Sequence, residues 1–279
     1  KCVNGQRVRM CLPMVLNMYD NYDFWQPILT ELGYEVVRAP FGSRDLFLEG
    51  QATIPSDTVC YPAKMMHGSV THLIKKQGID KIFYPCMPYN FDEKISDNHY
   101  NCPVVAYYPE VLSANMSILQ DVRFWKEYFG PHNEKHFVKR LYQFFKQDNV
   151  TLQEAKAAAA VGYKEQQAYL KDLKRYGKEA IAFARQHDLP IIVLAGRPYH
   201  IDPEINHGID QLITSYGAVV ISEDCLPLAK GKFHTNVLNQ WTYHARLYSA
   251  AHYVSQQPDM YLVQLVSFGC GVDAITTDE

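Results

Sequence analysis

The sequence predicts an α/β fold of two lobes, each with a parallel sheet, joined by a long helix. Short apolar runs alternate with capped helical patterns along both halves of the chain, an order typical of parallel sheets covered by helices. Between the halves, a capping box at Thr151–Glu154 begins a long striped helical pattern that we interpret as a bridge. Cysteines and polar loops follow several strands, at the edge where such sheets bind ligands. Rossmann-like or flavodoxin-like lobes fit these observations.

Residues 1–150 are expected to form the first lobe. The alternating pattern of Arg7–Leu12, stopped by Pro13, predicts its first strand. The polar and aromatic run Asn17–Asp23 is expected to be a loop. Further elements are predicted at Phe24–Leu32 (helix), Tyr34–Arg38 (strand), Pro40–Gly50 (turn and short helix), Pro62–Gln77 (helix, capped by Gly78), Lys81–Tyr84 (strand), Val104–Tyr107 (strand) and His136–Gln147 (helix).

Residues 151–188 are expected to form the linking helix, and residues 189–279 the second lobe. Asp202 and Pro203 are typical of the cap and first position of a helix, which is predicted to end near Tyr216. The other elements of this lobe are predicted at Ile191–Ala195, Ala218–Ile221 and Met260–Val266 as strands and at Asn236–Tyr253 as a helix.

The ends of the chain lead us to interpret it as a piece of a longer protein. It begins at Lys1, and its last residues, Thr276–Glu279, resemble the start of a helix. A helix cut short has few packing partners, so the tail Asp273–Glu279 is expected to pack poorly.

Composition and charge indicate an ordinary globular chain. Its 279 residues are 47% hydrophobic and 20% charged, and the net charge of −3 lacks the basic footprint of a nucleic-acid-binding protein. The apolar runs fall short of a membrane span. Seven cysteines, an odd number spread along the chain, favour a reducing setting over a disulfide framework. We therefore expect a cytoplasmic protein with neither nucleic-acid nor membrane partners.

A cysteine-rich stretch in the first lobe carries the strongest chemical signal. Cys60 stands just before a helix, where unpaired backbone N–H groups and the helix dipole favour a thiolate, and Lys64 adds a cation one turn later. Cys86 follows the predicted strand Lys81–Tyr84. Because strand ends and helix starts share one edge of a parallel sheet, Cys60 and Cys86 are expected on the same rim.

The other cysteines divide into candidates and inert residues. Cys270 follows the last strand beside two glycines, so it is expected on the matching rim of the second lobe. Cys102 precedes a predicted strand, which places it on the opposite rim unless its loop crosses back. We expect Cys2, Cys11 and Cys225 to be unreactive, as most cysteines are.

Four further residues are candidates for binding a cofactor. Arg197 and His200, in the loop after a buried strand, either bind an anionic group or are an ordinary surface Arg and a His before a helix. His99 lies in a polar, aromatic motif that either binds a ligand or forms a well-bonded turn. Lys64 is otherwise a solvated helix residue. No catalytic residue can be named.

Five segments of the chain, taken in order, resemble one family. They are VLNMYDNYDFWQPILTELGYEVV, IPSDTVCYPAKMMHG, DNHYNCPVV, LAGRPYHIDPEINHGI and SFGCGVDAIT. Together they are similar to the acyl-CoA dehydratase activase-related proteins, relatives of the 2-hydroxyacyl-CoA dehydratase subunits known as CoA-substrate-specific enzyme activases. The resemblance covers nearly the whole chain. It implies that actin-like ATPase domains lie elsewhere on a longer polypeptide, since this segment shows no phosphate-binding loop.

The resemblance also implies an iron–sulfur cluster of the 4Fe-4S type or larger. The related dehydratase subunits hold a four-iron cluster by three cysteines between α/β lobes, and the matching residues here are Cys60, Cys86 and Cys270. Cys102 allows a fourth ligand or a larger cluster. The implied function is low-potential electron transfer to an acyl-CoA-type substrate in anaerobic metabolism. Such a cluster can be absent from an aerobic preparation. The candidates for tuning it through hydrogen bonds are Lys64, His99 and His200.

Two other functions stay open at this point. The chain could be a non-catalytic, dehydratase-like domain that binds partner domains or a CoA ester. It could also be a scaffold with structural zinc, although the cysteine spacing matches no compact zinc signature.

Overall fold

The computed structural model describes residues 2–3, 6–76, 79–229, 231–267 and 269–279 of the chain. The predicted helix cap at Gly78, the side chain of Cys2 and residue Phe268 of the last motif lie outside the described parts. The architecture is α/β with parallel sheets, which confirms the predicted fold class.

The first half of the chain forms a four-stranded parallel sheet with helices around it. Its elements are β1 Cys2–Val3, β2 Gln6–Arg7, β3 Arg9–Leu12, α1 Met18–Glu31, β4 Glu35–Arg38, α2 Arg44–Gly50, α3 Tyr61–Lys76, β5 Lys81–Cys86, α4 Pro103–Asn115, β6 Arg123–Tyr128 and α5 Glu134–Phe145. A short antiparallel pair, β1 and β2, precedes the sheet, whose strand order is β4-β3-β5-β6. Strand order therefore reverses between β3 and β5, the place where such sheets open a crevice.

The second half repeats this design with three strands. Its elements are α6 Leu152–Gln186, β7 Ile191–Ala195, α7 Pro203–Asn206, α8 Ile209–Ser215, β8 Val219–Ser222, α9 Thr242–Val254, β9 Met260–Gln264 and α10 Gly271–Asp278. The sheet is parallel with the order β8-β7-β9. Because β7 is both first in the chain and central, the loops after β7 and β9 meet at the switch point.

The long helix α6 takes part in both halves. The predicted capping box is present: Thr151 Oγ1 accepts from the Glu154 N–H at 3.2 Å, and a Glu154 oxygen accepts from the Thr151 N–H at 2.7 Å. Early in the helix, Ala155 and Ala159 are buried in the first core, and near its end Ala184 is buried in the second. The domain boundaries proposed from the sequence stay a prediction.

The predicted strand Val104–Tyr107 is wrong, because this segment lies within helix α4. Pro103 occupies the first turn, where its fixed φ suits a helix and its missing N–H costs nothing. Cys102 is the N-cap, and its sulfur accepts from the Val105 N–H at 3.5 Å. A short apolar run does not distinguish a strand from a buried helix, and the proline decides it here.

The predicted loop Asn17–Asp23 is also wrong, since α1 begins at Met18. Its polar residues are buried rather than solvated. Asn21 donates to the Asn17 carbonyl at 2.9 Å, and Asp20 pairs with Arg246 of the second half at 3.1 Å. Partners distant in sequence therefore satisfy groups that looked like loop residues.

Smaller differences lie at other elements. Strand β6, with both charged and aromatic residues, was not predicted. The helix that begins after Asp202 breaks at His207 and Gly208, whose φ values are 55° and 72°, before it resumes as α8. Helix α9 begins at Thr242 rather than Asn236.

Two hydrophobic cores and a small satellite cluster stabilise the fold. The first core joins the four-stranded sheet to α1, α3, α4, α5 and the start of α6, and it includes Tyr199 from the loop after β7. The second lies beneath α9 and the end of α6. In the described parts of the chain, no helix is both long and apolar enough to cross a membrane.

Candidate functional site

Three cysteines meet where three helices begin. Cys60 directly precedes α3, Cys102 is the N-cap of α4, and Cys270 is the N-cap of α10. Cys102 and Cys270 lie close enough to Cys60 for their charges to raise the pKa of its thiol. The structure thus gathers two cysteines of the first half and one of the second.

Close backbone contact holds the loops of this site together. Gly269, with φ of +83°, lies against the carbonyl of Thr58, and a Cβ at this glycine would be 2.8 Å from that oxygen. The loop that leads to Cys270 therefore rests on the loop that leads to Cys60. A glycine is required here both by the left-handed backbone and by the short approach.

Arg197 is the cation at the centre of the site. Its side chain is only 4% exposed, and Nη2 donates both to Cys270 Sγ at 2.9 Å and to the Asp273 carboxylate. Its charge lowers the pKa of both Cys60 and Cys102, against larger effects of burial. Nη1 is buried and has no partner among the described residues.

Asp273 balances the charge of Arg197. The Ser267 N–H donates to its carboxylate at 3.0 Å, and His244 Nε2 lies 3.7 Å away. Burial by itself raises the pKa of Asp273, but His244 and Arg197 more than offset it, so this pKa lies below its usual value. The carboxylate is therefore ionised. The expected poor packing of the Asp273–Glu279 tail is wrong at this residue, which is 3% exposed.

His200 is a neutral imidazole that orders the loop after β7. Burial first, and then the charge of Arg197, lower the pKa of His200 to about 3. The Arg197 N–H donates to Nδ1 at 2.9 Å, so the proton sits on Nε2, which is 3.3 Å from Ser267 Oγ. A Cβ at Gly196 would overlap His200 Nδ1, so only glycine allows this ring position.

The thiols of Cys60 and Cys102 are protonated when no metal is bound. Burial raises the pKa of Cys60 to about 11, although the Ala63 N–H lowers it, and burial also raises the pKa of Cys102. The expected thiolate at Cys60 is therefore wrong, because desolvation outweighs the helix dipole. The Lys64 ammonium donates to the Asp57 carbonyl at 2.7 Å rather than to the Cys60 sulfur.

Cys86 has a different environment from the three gathered cysteines. It ends β5, fully buried, and burial raises the pKa of its thiol to about 12. Its charged neighbours are Glu110, Lys126 and Glu127. The charges of Cys86 and Cys102 both raise the pKa of the buried Tyr84, so the end of β5 lies near the site. Even so, the structure brings Cys102, rather than Cys86, to Cys60 and Cys270.

A pocket of about 200 Å³ adjoins the site at the carboxyl ends of β7 and β8. Its lining includes Arg197 and His200 together with two acidic residues, Asp210 and Glu223. Glu223 accepts from the Gly196 N–H at 3.3 Å, and burial raises its pKa to about 8. Near neutral pH this acid therefore keeps its proton.

Comparison with known proteins bears on the family. A family described as "CoA enzyme activase uncharacterised domain" matches residues 9–226, which is most of the chain. The chain belongs to this family. No curated protein matches it. A similar solved structure, the SBP FpvC of P. aeruginosa in complex with Ni²⁺, shares 12% identity over 98% of this chain and 93% of that one. Its TM-score is 0.29, too low to support any argument.

The site also contains residues that were not predicted from the sequence. These residues interact with Arg197 or with its partner Asp273, through hydrogen bonds or through charge. They are Tyr199, Ser267, His244 and Asp273 itself. Asp273 lies in the GVDAIT part of the last motif, which could have indicated it, whereas His244 carried no signal. Of the predicted cofactor residues, Arg197 and His200 are in the site.

The metal-binding capacity of the domain is limited in one respect. Among the residues that the structure describes, no three His, Cys, Asp or Glu side chains are arranged to hold a single metal ion. The arrangement offers instead three thiols, one buried cation and a carboxylate at the junction of the two sheets.

Proposed function

We propose that this domain is the iron–sulfur module of a CoA-substrate enzyme activase, with Cys60, Cys102 and Cys270 as cluster ligands. The observation that carries the proposal is the meeting of these three thiols around Arg197, where both halves of the chain contribute. This ligand set revises the one expected from the resemblance, in that Cys102 takes the place of Cys86.

The donors around the thiols fit a sulfur-rich, negatively charged group. Backbone N–H groups at the starts of α3 and α4 already point at Cys60 and Cys102. The buried Nη1 of Arg197 lacks an acceptor in the described structure, and such orphaned donors are rare unless a ligand satisfies them. Protonated thiols do not oppose binding, because iron displaces the thiol proton on ligation.

Bound there, the cluster would supply one-electron transfer at low potential. The chain's own residues hold it and set its surroundings. Arg197 orients Cys270 and neutralises charge, Asp273 fixes Arg197, and the three cysteines are partly buried. Hydrogen bonds to sulfur and low solvent access are the means by which proteins tune such potentials.

The wider setting is also proposed from the family. An acyl-CoA-type molecule is the electron acceptor, actin-like ATPase domains drive the transfer, and the cytoplasm provides reducing conditions. The structural-zinc alternative is less favoured, because a single ion needs three or four ligands close together, and the described residues offer no such group.

Anaerobic reconstitution with iron and sulfide tests the ligand set. Cys60→Ser, Cys102→Ser and Cys270→Ser should each bind iron at least about 10-fold more weakly than the unsubstituted protein, since even outer partners of a metal site contribute that much. Iron and sulfide analysis and visible absorbance are the measurements.

Two matched substitutions make this test specific. Cys225→Ser changes a half-buried cysteine beside Ser222, away from the site, and should leave iron content unchanged. Cys86→Ala decides between the two ligand sets. Full iron content in this variant supports Cys102 as the third cluster ligand. A loss of iron equal to that of Cys60→Ser supports Cys86 as a ligand instead. If no protein binds iron and sulfide, the domain is a binding module instead.

A further inference from the structure

The motif Asp97–Asn101, which the thiol site does not use, belongs to an aromatic surface at the carboxyl ends of β5 and β6. Tyr89 lies at its centre, with ring centroids 4.6 Å from Tyr100 and 5.0 Å from His132. His99 completes the group at 4.8 Å from His132. The four rings therefore form one cluster, in which neighbouring ring planes are tilted by 39–53°. Burial lowers the pKa of both histidines, which favours neutral imidazoles.

A pocket of about 310 Å³ opens beside these rings. Its wall is mostly aromatic, and it includes the guanidinium of Arg140, which pairs with Glu127 at 2.5 Å. The residues that define it are Tyr89, Tyr128, Phe129, His132, His136 and Arg140. Pockets of this size, apolar with few polar groups, are typical of small-molecule sites, and planar walls suit a planar ring.

A larger open groove of about 880 Å³ continues from the same pocket, since His132 lines both. Lys135, Lys139 and Lys156 line this groove. Lys135 and Lys139 are four residues apart on α5, where like charges repel. None of the three forms an ion pair in the described part of the chain. Glu134 is the one acidic residue among the described residues of the lining, so the three ammonium groups outnumber its carboxylate, and the groove suits a ligand with several negative charges.

We infer that this pocket and groove bind the adenosine-phosphate end of a CoA ester. The adenine stacks on the ring group of Tyr89 and His132, and the phosphates lie along the three lysines. The identity of the ligand rests on the proposed function, because the rings and lysines by themselves fit any adenine nucleotide. Stacking on aromatic side chains and charge-assisted bonds to phosphate are the means of recognition.

The position of this surface suits a CoA ester. Tyr100 pairs with Tyr89, and Cys102 follows only two residues later, about 7 Å of extended chain. A nucleotide bound at the rings therefore lies close to the segment that leads from Tyr100 to Cys102. The flexible arm of CoA can then carry its acyl group towards the thiol site.

Calorimetric titration of the purified, cluster-free chain tests the inference. The probes are desulfo-CoA, which cannot react with the cysteines, ADP, ATP and pantetheine. Desulfo-CoA should bind best, ADP more weakly, and pantetheine not measurably. The triple variant Lys135→Ala/Lys139→Ala/Lys156→Ala should weaken desulfo-CoA binding about tenfold or more, and so should Tyr89→Ala.

A matched triple variant controls for net charge. Lys164, Lys171 and Lys178 are exposed lysines of α6 outside the groove, and their replacement by Ala should leave binding unchanged. Equal losses in both triple variants, or no binding of desulfo-CoA, would overturn the site. ATP binding as tightly as desulfo-CoA would overturn the CoA assignment in favour of a free nucleotide.

The outcome is separable from that of the cluster proposal. The groove variants should bind as much iron as the unsubstituted protein, and the cysteine variants should bind desulfo-CoA normally. Iron loss in the groove variants would show that they disturb the fold and would count against the inference.

Discussion

At the scale of single residues, burial controls the charge of the site more than neighbouring charges do. It keeps the thiols of Cys60 and Cys102 protonated, His200 neutral and Glu223 protonated near neutral pH. Arg197 and Asp273 stay charged, because each is the other's partner. A metal that binds at Cys60 and Cys102 must therefore displace their protons.

Glu223 gives a pH-dependent stability that can be measured. Its pKa is about 8 in the folded protein and near 4.5 when unfolded, so the folded state holds an extra proton between these values. The free energy of unfolding should therefore fall as pH rises through this window. Glu223→Gln removes this titration, so its stability should decline less, and the variant should exceed the unsubstituted protein near pH 8.

Urea unfolding between about pH 5 and pH 8 measures the effect. Asp210→Asn, in the same pocket, is the control and should follow the unsubstituted protein. Some slope should persist in Glu223→Gln, because burial also raises the pKa of Asp224. Identical slopes for Glu223→Gln and the unsubstituted protein would show that Glu223 is ionised in the folded state.

At the scale of elements, helix starts and one long helix determine where the chemistry lies. Each of the three gathered cysteines stands immediately before a helix, so α3, α4 and α10 point their N-terminal ends at one place. Helix α6 packs against α1 at one end and against β8 and its following turn near the other. These contacts fix the distance between the two sheets.

Two glycines let α6 approach its neighbours closely. A Cβ at Gly162 would lie 2.5 Å from Ile28 Cγ1 and 2.9 Å from the Phe24 carbonyl oxygen. A Cβ at Gly177 would likewise overlap Cys225. Gly162→Ala should therefore destabilise the protein, because overpacking costs about 1–3 kcal/mol and the gain in helix propensity is about 1 kcal/mol.

Thermal or urea unfolding of the variant measures this balance. The exposed Ala160→Gly, two residues away in the same helix, reports propensity alone and should lose about 1 kcal/mol. A stabilised Gly162→Ala protein would mean that α1 and α6 can separate without loss, and that the close approach has no structural role.

At the scale of the whole molecule, buried polar contacts fasten the two halves to each other. Arg246 of α9 reaches across to Asp20 of α1 at 3.1 Å and to Glu93 at 2.8 Å. On the other side, Asp202 accepts hydrogen bonds from Tyr19 and from the Gly42 N–H. The halves therefore meet through specific, directional bonds on both sides of the thiol site.

Removal of Arg246 should weaken this junction strongly. Arg246→Met leaves the 4%-exposed Asp20 without its cation, and breaking such a buried pair costs about 3–5 kcal/mol. The double variant Asp20→Asn/Arg246→Met should recover part of the loss, because the more deeply buried charge of Asp20 is gone, while Glu93 still lacks its cation. Denaturant unfolding, followed by both circular dichroism and fluorescence, measures the stability and shows whether the halves still unfold together.

A surface ion pair provides the control. Arg185→Met breaks the exposed pair with Asp259 and should cost less than about 1 kcal/mol. If Arg246→Met costs no more than this, the junction depends on apolar packing and not on the buried ions.

The sequence by itself determined the local design of this protein. Periodic apolar runs and caps predicted the strands of the second half, the capping box of α6, the placement of Cys60 at a helix start and that of Cys270 after the last strand. These features depend on residues within a few positions of one another, and local backbone chemistry is readable from such patterns. The resemblance to the activase family was likewise carried by contiguous motifs, and the family match confirms it.

Only the tertiary structure decided which groups form the site and in what state. It replaced the strand at Val104 with a helix and brought Cys102 to Cys60. It also placed Asp273 and Cys270 on Arg197, 76 and 73 residues away in the chain. Contacts across such separations, and the burial that sets the pKa of each thiol, arise from the packing of whole elements. No local pattern specifies them, because the same short motif is solvated or buried according to what packs against it.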